Sequence, residues 1–134
     1  MPAALEAVLP DVDIWFKAFS RQDPDPLVVH GFAQRVRTRQ VFLLGLVRQA
    51  LLARTRDPRQ GVRLNHVLAA FPDLPMLARD HTRAAGIIQR LRPTGLVVSP
   101  WQAVMWAIAE RLQGRIWTQD RHWQALAPHG CPLV

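Results

Sequence analysis

Short apolar runs alternate with segments of helical periodicity along the chain. Apolar runs of strand length occur at four places: residues 4–9, 41–44, 96–98 and 115–118. Apolar residues spaced three and four apart predict six helices: residues 14–19, 27–36, 45–54, 62–71, 77–91 and 101–113. Clusters of Pro, Asp and Gly predict loops at residues 22–26, 57–61 and 72–75. Short buried strands that alternate with helices favour an α/β fold around a mostly parallel sheet.

Length and composition predict a single globular domain over residues 1–134. The 134 residues suffice for one hydrophobic core, and no repeat, low-complexity tract or linker divides them. A composition with 49% hydrophobic and 20% charged residues excludes a disordered chain, a collagen-like repeat and a heptad rod. The longest apolar run, residues 41–47, is far shorter than the ~18 residues that cross a bilayer, so no membrane segment is expected.

The cysteine content and the first residues indicate the cellular compartment. A lone cysteine, Cys131, excludes an internal disulfide and a multi-thiolate zinc site. The first ten residues contain no basic residue and lack the layout of a signal peptide. Together these features predict a protein of the reducing cytoplasm.

The chain is strongly basic. Its 17 basic and 10 acidic residues give a formal net charge of +7. Such a surplus favours a polyanion or an acidic protein as a partner, although it can also serve solubility alone. The basic residues are scattered, and the tightest group is Arg35, Arg37 and Arg39. Because residues two apart on a helix point in different directions, we expect this group to be a solvated helix end.

Acidic residues follow the first and the last predicted strands. Asp11 and Asp13 come directly after the first, and Asp120 comes after the last. The carboxyl ends of parallel strands meet at one edge of a sheet, so these side chains are expected to converge. Converging carboxylates are what a hard cation requires. The alternatives are solvated loop residues for Asp11 and Asp120, and an N-cap of the first helix for Asp13.

The residues around these acids carry a family resemblance. Residues 10–15, Pro-Asp-Val-Asp-Ile-Trp, resemble the opening of a PIN domain, whose first strand ends in an acid followed two residues later by Asn, Ser or Asp. Residues 117–123, Trp-Thr-Gln-Asp-Arg-His-Trp, resemble its closing T-x-D-x-x-[FW] motif. Between them, residues 95–120 match the usual order of strand, helix opening with Pro, Gly and strand. The resemblance covers essentially the whole chain and is closest to the small VapC-type toxins of bacterial toxin–antitoxin pairs.

This resemblance implies a fold, an activity and partners. The fold is a PIN-like three-layer α/β/α sandwich with a central, mostly parallel sheet. The activity is that of a ribonuclease in which about four carboxylates hold Mg²⁺ or Mn²⁺ for hydrolysis of RNA. The partners are a second copy in a homodimer and a small antitoxin protein whose C-terminal arm occupies the active-site groove. Asp11 and Asp120 match the first and last catalytic, metal-binding carboxylates.

Two of the expected carboxylates are missing. The second should fall in residues 46–52, at Ala50 by ungapped spacing, where the nearest polar residues are Gln49 and Arg48. The third should stand in the first turn of the helix after residue 100, where the chain has Gln102. Ser99 and Gln102 also predict a capping box for this helix. A site charge of roughly −2 in place of roughly −4 predicts weak or absent binding of Mg²⁺.

Four further residues are candidates to support the site. Asp13 would make the negative charge of the site larger. Thr118 resembles the family's hydroxyl near the metal, with a strand-end hydrogen bond as the alternative. His122 could bond a phosphate or act as a base, or be a surface residue. Glu110 shares a helical face with Gln102 and could replace a missing acid, or be a surface residue near the helix end.

One functional hypothesis is favoured, a VapC-type protein whose nuclease chemistry is impaired, and three alternatives are open. The first is an active ribonuclease with a rearranged metal site that uses Asp11, Asp13 and Asp120 with Mg²⁺ or Mn²⁺. The second is a non-catalytic module that binds RNA or an antitoxin. The third is a self-associating remnant without a nucleic-acid role.

Overall fold

Four short strands and seven α-helices make up the fold in the part of the chain that the structure describes. The computed structural model describes residues 5–20, 22 and 24–134. Its strands are β1 (Val8–Pro10), β2 (Leu43–Leu44), β3 (Asp73–Leu74) and β4 (Arg115–Trp117). Its helices are α1 (Val12–Phe19), α2 (Pro26–Arg37), α3 (Gly45–Ala53), α4 (Pro58–Leu68), α5 (Ala78–Leu91), α6 (Pro100–Arg111) and α7 (Arg121–Gln124).

The strands form one parallel layer. β1 pairs with β4, and β2 pairs with β3, both in parallel. A parallel bridge between Val8 and Val41 joins the two ladders, and the N–H of Val8 donates to the carbonyl of Gln40 at 2.8 Å. A second bridge, from Ile116 to Leu133, adds the end of the chain beside β4. The order β3, β2, β1, β4 confirms the predicted parallel sheet.

Helices pack around this sheet, and the resulting mixed α/β fold with a parallel sheet confirms the predicted fold class. α6 is the most deeply buried helix, because every residue from 103 to 109 is buried. A helix that is apolar all round belongs in the centre of a domain. α6 packs against α5 and β4, while α1 packs against α2 and α3.

Gly114 sets the approach of β4 to β1. A Cβ at this position would lie 2.5 Å from the carbonyl oxygen of Ala7. Any side chain would therefore push β4 away from the start of β1. The glycine lets the N–H of Arg115 donate to that same carbonyl at 2.9 Å, which fixes the register of the β1–β4 pair.

Five of the predicted helices agree with the structure to within two residues, but the fourth does not. The predicted loop at residues 57–61 is wrong, because α4 begins at Pro58 and Gly61 lies inside it. Asp57 is its N-cap, and its carboxylate accepts from the N–H of Arg59 at 2.9 Å. An Asp–Pro pair is a helix-start signal, since proline fits the first helical position.

Two strand predictions also differ from the structure. Residues 96–98 pair with no strand in the described chain, and Val97 is 90% exposed. Residues 72–75, predicted as a turn, contain β3. Strands of two or three residues are defined by their pairing partners, which a local apolar pattern does not specify. The first strand begins at Val8, and residue 4, its predicted start, lies outside the described residues.

Two surface predictions can be compared directly. Arg37 and Arg39 are exposed at the end of α2, as expected of a solvated helix end. Arg35 instead lies over the ring of Trp117, with 4.5 Å between its guanidinium carbon and the ring centroid.

Across residues 5–20, 22 and 24–134, no helix is long and apolar enough to span a membrane.

Candidate active-site cleft

The carboxyl ends of β1 and β4 form one wall of a cleft. Asp11 follows β1, and its backbone N–H donates to the carbonyl of Trp117, the last residue of β4, at 2.9 Å. Asp120 follows β4 after a two-residue turn. The cleft has a volume of about 430 Å³. Its lining residues are Asp11, Val97, Ser99, Trp101, Gln102, Asp120, His122 and Trp123.

Asp11 is buried at the base of the cleft. Its side chain is bound to the protein itself, because Nε1 of Trp123 donates to Oδ2 of Asp11 at 2.8 Å. Burial raises the pKa of Asp11 above its ordinary value of 3.8, against the lowering effect of hydrogen bonds from Val12 and Trp123. The negative charges of Asp13 and Asp120 raise this pKa further, so the three carboxylates lie within electrostatic reach of one another.

Asp120 is exposed and caps α7. Its Oδ1 accepts from the N–H of His122 at 2.9 Å, and its own N–H donates to Oγ1 of Thr118 at 3.0 Å. The cap directs α7 so that His122 and Trp123 both line the cleft. Thr118 is buried, and its hydroxyl oxygen is the acceptor of this bond from Asp120 at the end of β4.

Asp13 acts on the turn after β4. It lies in the first turn of α1, whose N-cap is Asp11, so the N-cap interpretation of Asp13 is wrong. Its Oδ2 accepts from the N–H of Gln119 at 2.7 Å, and its Oδ1 accepts from the N–H of Ile14 at 2.9 Å. The carboxylate therefore ties α1 to the turn and does not line the cleft.

Gln102 faces the cleft from the start of α6. The predicted capping box is confirmed, since the N–H of Gln102 donates to Oγ of Ser99 at 3.1 Å. In return, Oε1 of Gln102 accepts from the N–H of Ser99 at 3.2 Å. The one oxygen of this side chain is thus committed to the helix cap, and it carries no charge.

The α3 positions expected to hold an acid lie elsewhere. Ala50 is half-buried, Gln49 is exposed, and neither lines the cleft. Arg48 is directed at β3, where its Nε contacts Oδ1 of Asp73 at 2.9 Å and its Nη2 donates to the carbonyl of Phe71 at 2.8 Å. Its charge is therefore balanced by Asp73 and does not enter the cleft.

Glu110 also lies outside the cleft. Eight residues separate it from Gln102, which is about 12 Å along a helix. Its carboxylate contacts Nε of Arg83 at 2.9 Å and accepts from Nε1 of Trp106 at 2.9 Å. Burial alone would raise the pKa of Glu110, but the bonds from Arg83 and Trp106 outweigh it and lower that pKa. Glu110 stabilises the contact between α5 and α6.

The residues present fit a divalent cation poorly. In the part of the chain that the structure describes, no three His, Cys, Asp or Glu side chains gather into a metal-binding group. Among the described residues, the carboxylates that line the cleft are those of Asp11 and Asp120, and each already accepts a hydrogen bond from the protein. Mg²⁺ selects anionic oxygen, and a site with two such carboxylates offers it few ligands. The cleft is therefore an acidic recess that is also lined by two tryptophans and a histidine.

A groove between α1, α3 and α4 gave no signal in the sequence. Its volume is about 590 Å³. Phe16 and Phe19 line it and are 56% and 43% exposed, and the charged residues in its described lining are Arg54 and Arg63. The other lining residues are Trp15, Ser20, Gln22, Leu51, Thr55, Gln60, Leu64 and Val67. Since the core-facing side of α1 is also apolar, the pattern of that helix alone does not separate groove residues from core residues.

Comparisons with known proteins give a structural likeness. No protein-family model matches the chain, and no curated protein matches it. The chain is similar to one in the crystal structure of FitAcB from Neisseria gonorrhoeae, with a TM-score of 0.72 and 18% identity over 84% of this chain and 87% of that one. It is also similar to one in the structure of VapBC2 from Rickettsia felis bound to a DNA fragment from their promoter. That match has a TM-score of 0.70 and 13% identity over 89% of this chain and 92% of that one.

Proposed function

We propose that this chain is a PIN-domain protein of the VapC type that binds a small antitoxin-like protein and cleaves RNA weakly or not at all. The motifs at residues 10–15 and 117–123 support the family, and so does the fold that the chain shares with the structures of FitAcB and VapBC2. The resemblance also implies a homodimer. Sedimentation equilibrium tests that part of the proposal, because a monomer at all concentrations would contradict it.

One observation carries the proposal of weak cleavage. Gln102 stands where the resemblance expects an acid, and its Oε1 accepts from the N–H of Ser99 at 3.2 Å. Without a carboxylate in the first turn of α6, the cleft offers Asp11 and Asp120 to a cation, and Asp11 is buried and bonded to Trp123. Loss of metal-bound water as the nucleophile removes the chemistry on which such a nuclease depends.

The groove between α1, α3 and α4 supports the binding of a protein partner. It combines exposed aromatic side chains with two arginines and contains no acid among its described lining residues. An amphipathic helix fits such a surface, because its apolar residues insert between Phe16 and Phe19 and its acidic residues pair with Arg54 and Arg63. The occupant is therefore proposed to be an acidic, amphipathic segment of the antitoxin-like protein.

The direct experiment first asks whether a small protein is encoded next to this chain's gene, and then uses that protein as the binding partner. The two proteins are purified separately and mixed in a calorimeter. A complex with a dissociation constant below about 1 μM, as is usual for a specific interface of standard size, supports the proposal. Absence of a small neighbouring protein, or of binding to it, contradicts the proposed partner.

A second candidate function is an active ribonuclease with a rearranged site. It is favoured by the negative charges of Asp13 and Asp120 near Asp11, which add to the burial that raises the pKa of Asp11. In this case, Mg²⁺ or Mn²⁺ would bind to Asp120 and Asp11, with Asp13 freed from the turn. Metal-dependent cleavage of RNA that is lost in Asp120→Asn would establish this candidate. RNA binding without cleavage, with an affinity that falls steeply with salt, would instead indicate a non-catalytic RNA-binding module.

A further inference from the structure

Gln119 occupies the turn between β4 and α7 and is bonded to two distant helices. Its N–H donates to Oδ2 of Asp13 at 2.7 Å. Its side-chain oxygen accepts from Nζ of Lys17, also on α1. Its Nε2 donates to Oδ2 of Asp25 at 3.4 Å, and Asp25 is the N-cap of α2. One exposed residue therefore connects the turn to α1 and to the start of α2.

The helix that follows this turn, α7, depends on contacts with the rest of the fold for its stability. α7 has four residues, which is too short for a helix to be stable without external contacts. Its contacts include the buried Trp123, whose indole donates to Asp11, and a bond from Nε2 of Gln124 to the carbonyl of Thr118. At its start, the turn presents Asp120 as its N-cap. The places of Asp120 and His122, which line the cleft, depend on this turn.

We infer that Gln119 and Asp13 are positioning residues that hold the cleft in shape through the turn at residues 118–120. The hydrogen bonds to the turn fix its place and, through it, that of Asp120. Asp13, Lys17 and Asp25 are bonded to Gln119, and these three contacts form a clamp on the turn. Any effect of the clamp on binding at the cleft rests on the proposed function. The bonds that make up the clamp do not depend on that proposal.

Amide hydrogen exchange measured by NMR tests the clamp directly. In Asp13→Ala, the amide of Gln119 loses its acceptor and is expected to exchange at least about tenfold faster, with a smaller increase for Asp120. The buried amides of α6 are expected to stay within about twofold of their original rates. Asp13→Asn retains an acceptor oxygen and is expected to restore most of the protection of Gln119.

Two further variants make the result decisive. Gln119→Ala keeps the backbone bond to Asp13 but removes the contacts to Lys17 and Asp25, so the amides of Asp120 and His122 are expected to exchange faster. Asp57→Ala removes an aspartate that, like Asp13, accepts a backbone hydrogen bond, but does so at the start of α4, and it is expected to leave the turn unchanged. Unchanged exchange at Gln119 in Asp13→Ala would overturn the inference. Equal acceleration at the turn in Asp57→Ala would also overturn it, because the effect would then be global.

Discussion

The indole Nε1 of Trp123 donates to Oδ2 of Asp11 at 2.8 Å, across 112 residues of sequence and with both residues buried. The bond joins the end of β1 to α7, and both of its residues line the cleft. It gives Asp11 a structural task, because the carboxylate satisfies a buried donor that has no other partner in the described residues. An acid that resembles a catalytic ligand therefore also holds the site together.

Removal of the Asp11 acceptor is expected to destabilise the protein. Asp11→Ala leaves the buried N–H of Trp123 unpaired and should reduce the free energy of unfolding by about 1–3 kcal/mol. Asp11→Asn keeps an acceptor and removes a buried charge, so its loss should be clearly smaller. Urea unfolding at pH 7 measures both. Equal losses for the two variants would mean that the bond to Trp123 contributes little.

The buried pair of Asp80 and Arg111 is expected to set part of the acid stability. Burial alone would raise the pKa of Asp80, but hydrogen bonds from Arg111 and the N–H of Leu77 outweigh it and lower that pKa below 3.8. Such a group stabilises the fold above its unfolded pKa and loses this contribution as the pH falls through its folded pKa. The advantage of the native protein over Asp80→Asn should thus be full above about pH 4 and shrink below it.

The size of this effect follows from burial. Asp80 is almost fully buried, with Nε of Arg111 at 2.8 Å from its Oδ1, so Asp80→Asn should cost about 2–4 kcal/mol at pH 7. The matched variant is Asp73→Asn, because Asp73 pairs with Arg48 but its side chain is 60% exposed. That variant should cost under about 1 kcal/mol. Chemical denaturation at several pH values compares the two, and similar costs would contradict the assignment.

Placing an acid in the first turn of α6 is expected to improve metal binding. Asp at position 102 can keep the helix cap, gains from the helix dipole and places a carboxylate in the cleft. Gln102→Asp should therefore raise the affinity for Mn²⁺ at least about tenfold, as measured by calorimetry. Gln34→Asp, an exposed change on α2, is the control and should leave the affinity unchanged. The addition of Ala50→Glu should help little, since Ala50 does not line the cleft.

Groove variants separate partner binding from folding. Phe16→Ala and Phe19→Ala together should weaken binding of the antitoxin-like protein at least about a hundredfold, as expected of aromatic anchors in an interface. Stability should fall by under about 2 kcal/mol, because both rings are about half exposed. Leu27→Ala on α2 is the control, since Leu27 is highly exposed and lies outside the groove. Equal weakening by the control would place the interface elsewhere.

Local periodicity predicted most of the helices, because their apolar faces repeat at the helical spacing regardless of their partners. It did not predict β3 and wrongly assigned a strand to residues 96–98, since strands this short exist only through pairing. Asp11 and Asp120 meet as the rule for parallel strands requires. Gln119 was missed because its contacts to Lys17 and Asp25 span 102 and 94 residues, and no local pattern encodes them.

The most direct test of the proposed loss of nuclease function is RNA cleavage by the purified protein. A structured RNA is incubated with the protein over a broad series of Mg²⁺ and Mn²⁺ concentrations, alongside Asp120→Asn. The account predicts that the RNA stays intact, or that any residual cleavage is the same for both proteins. Metal-dependent cleavage by the native chain that Asp120→Asn abolishes would contradict it.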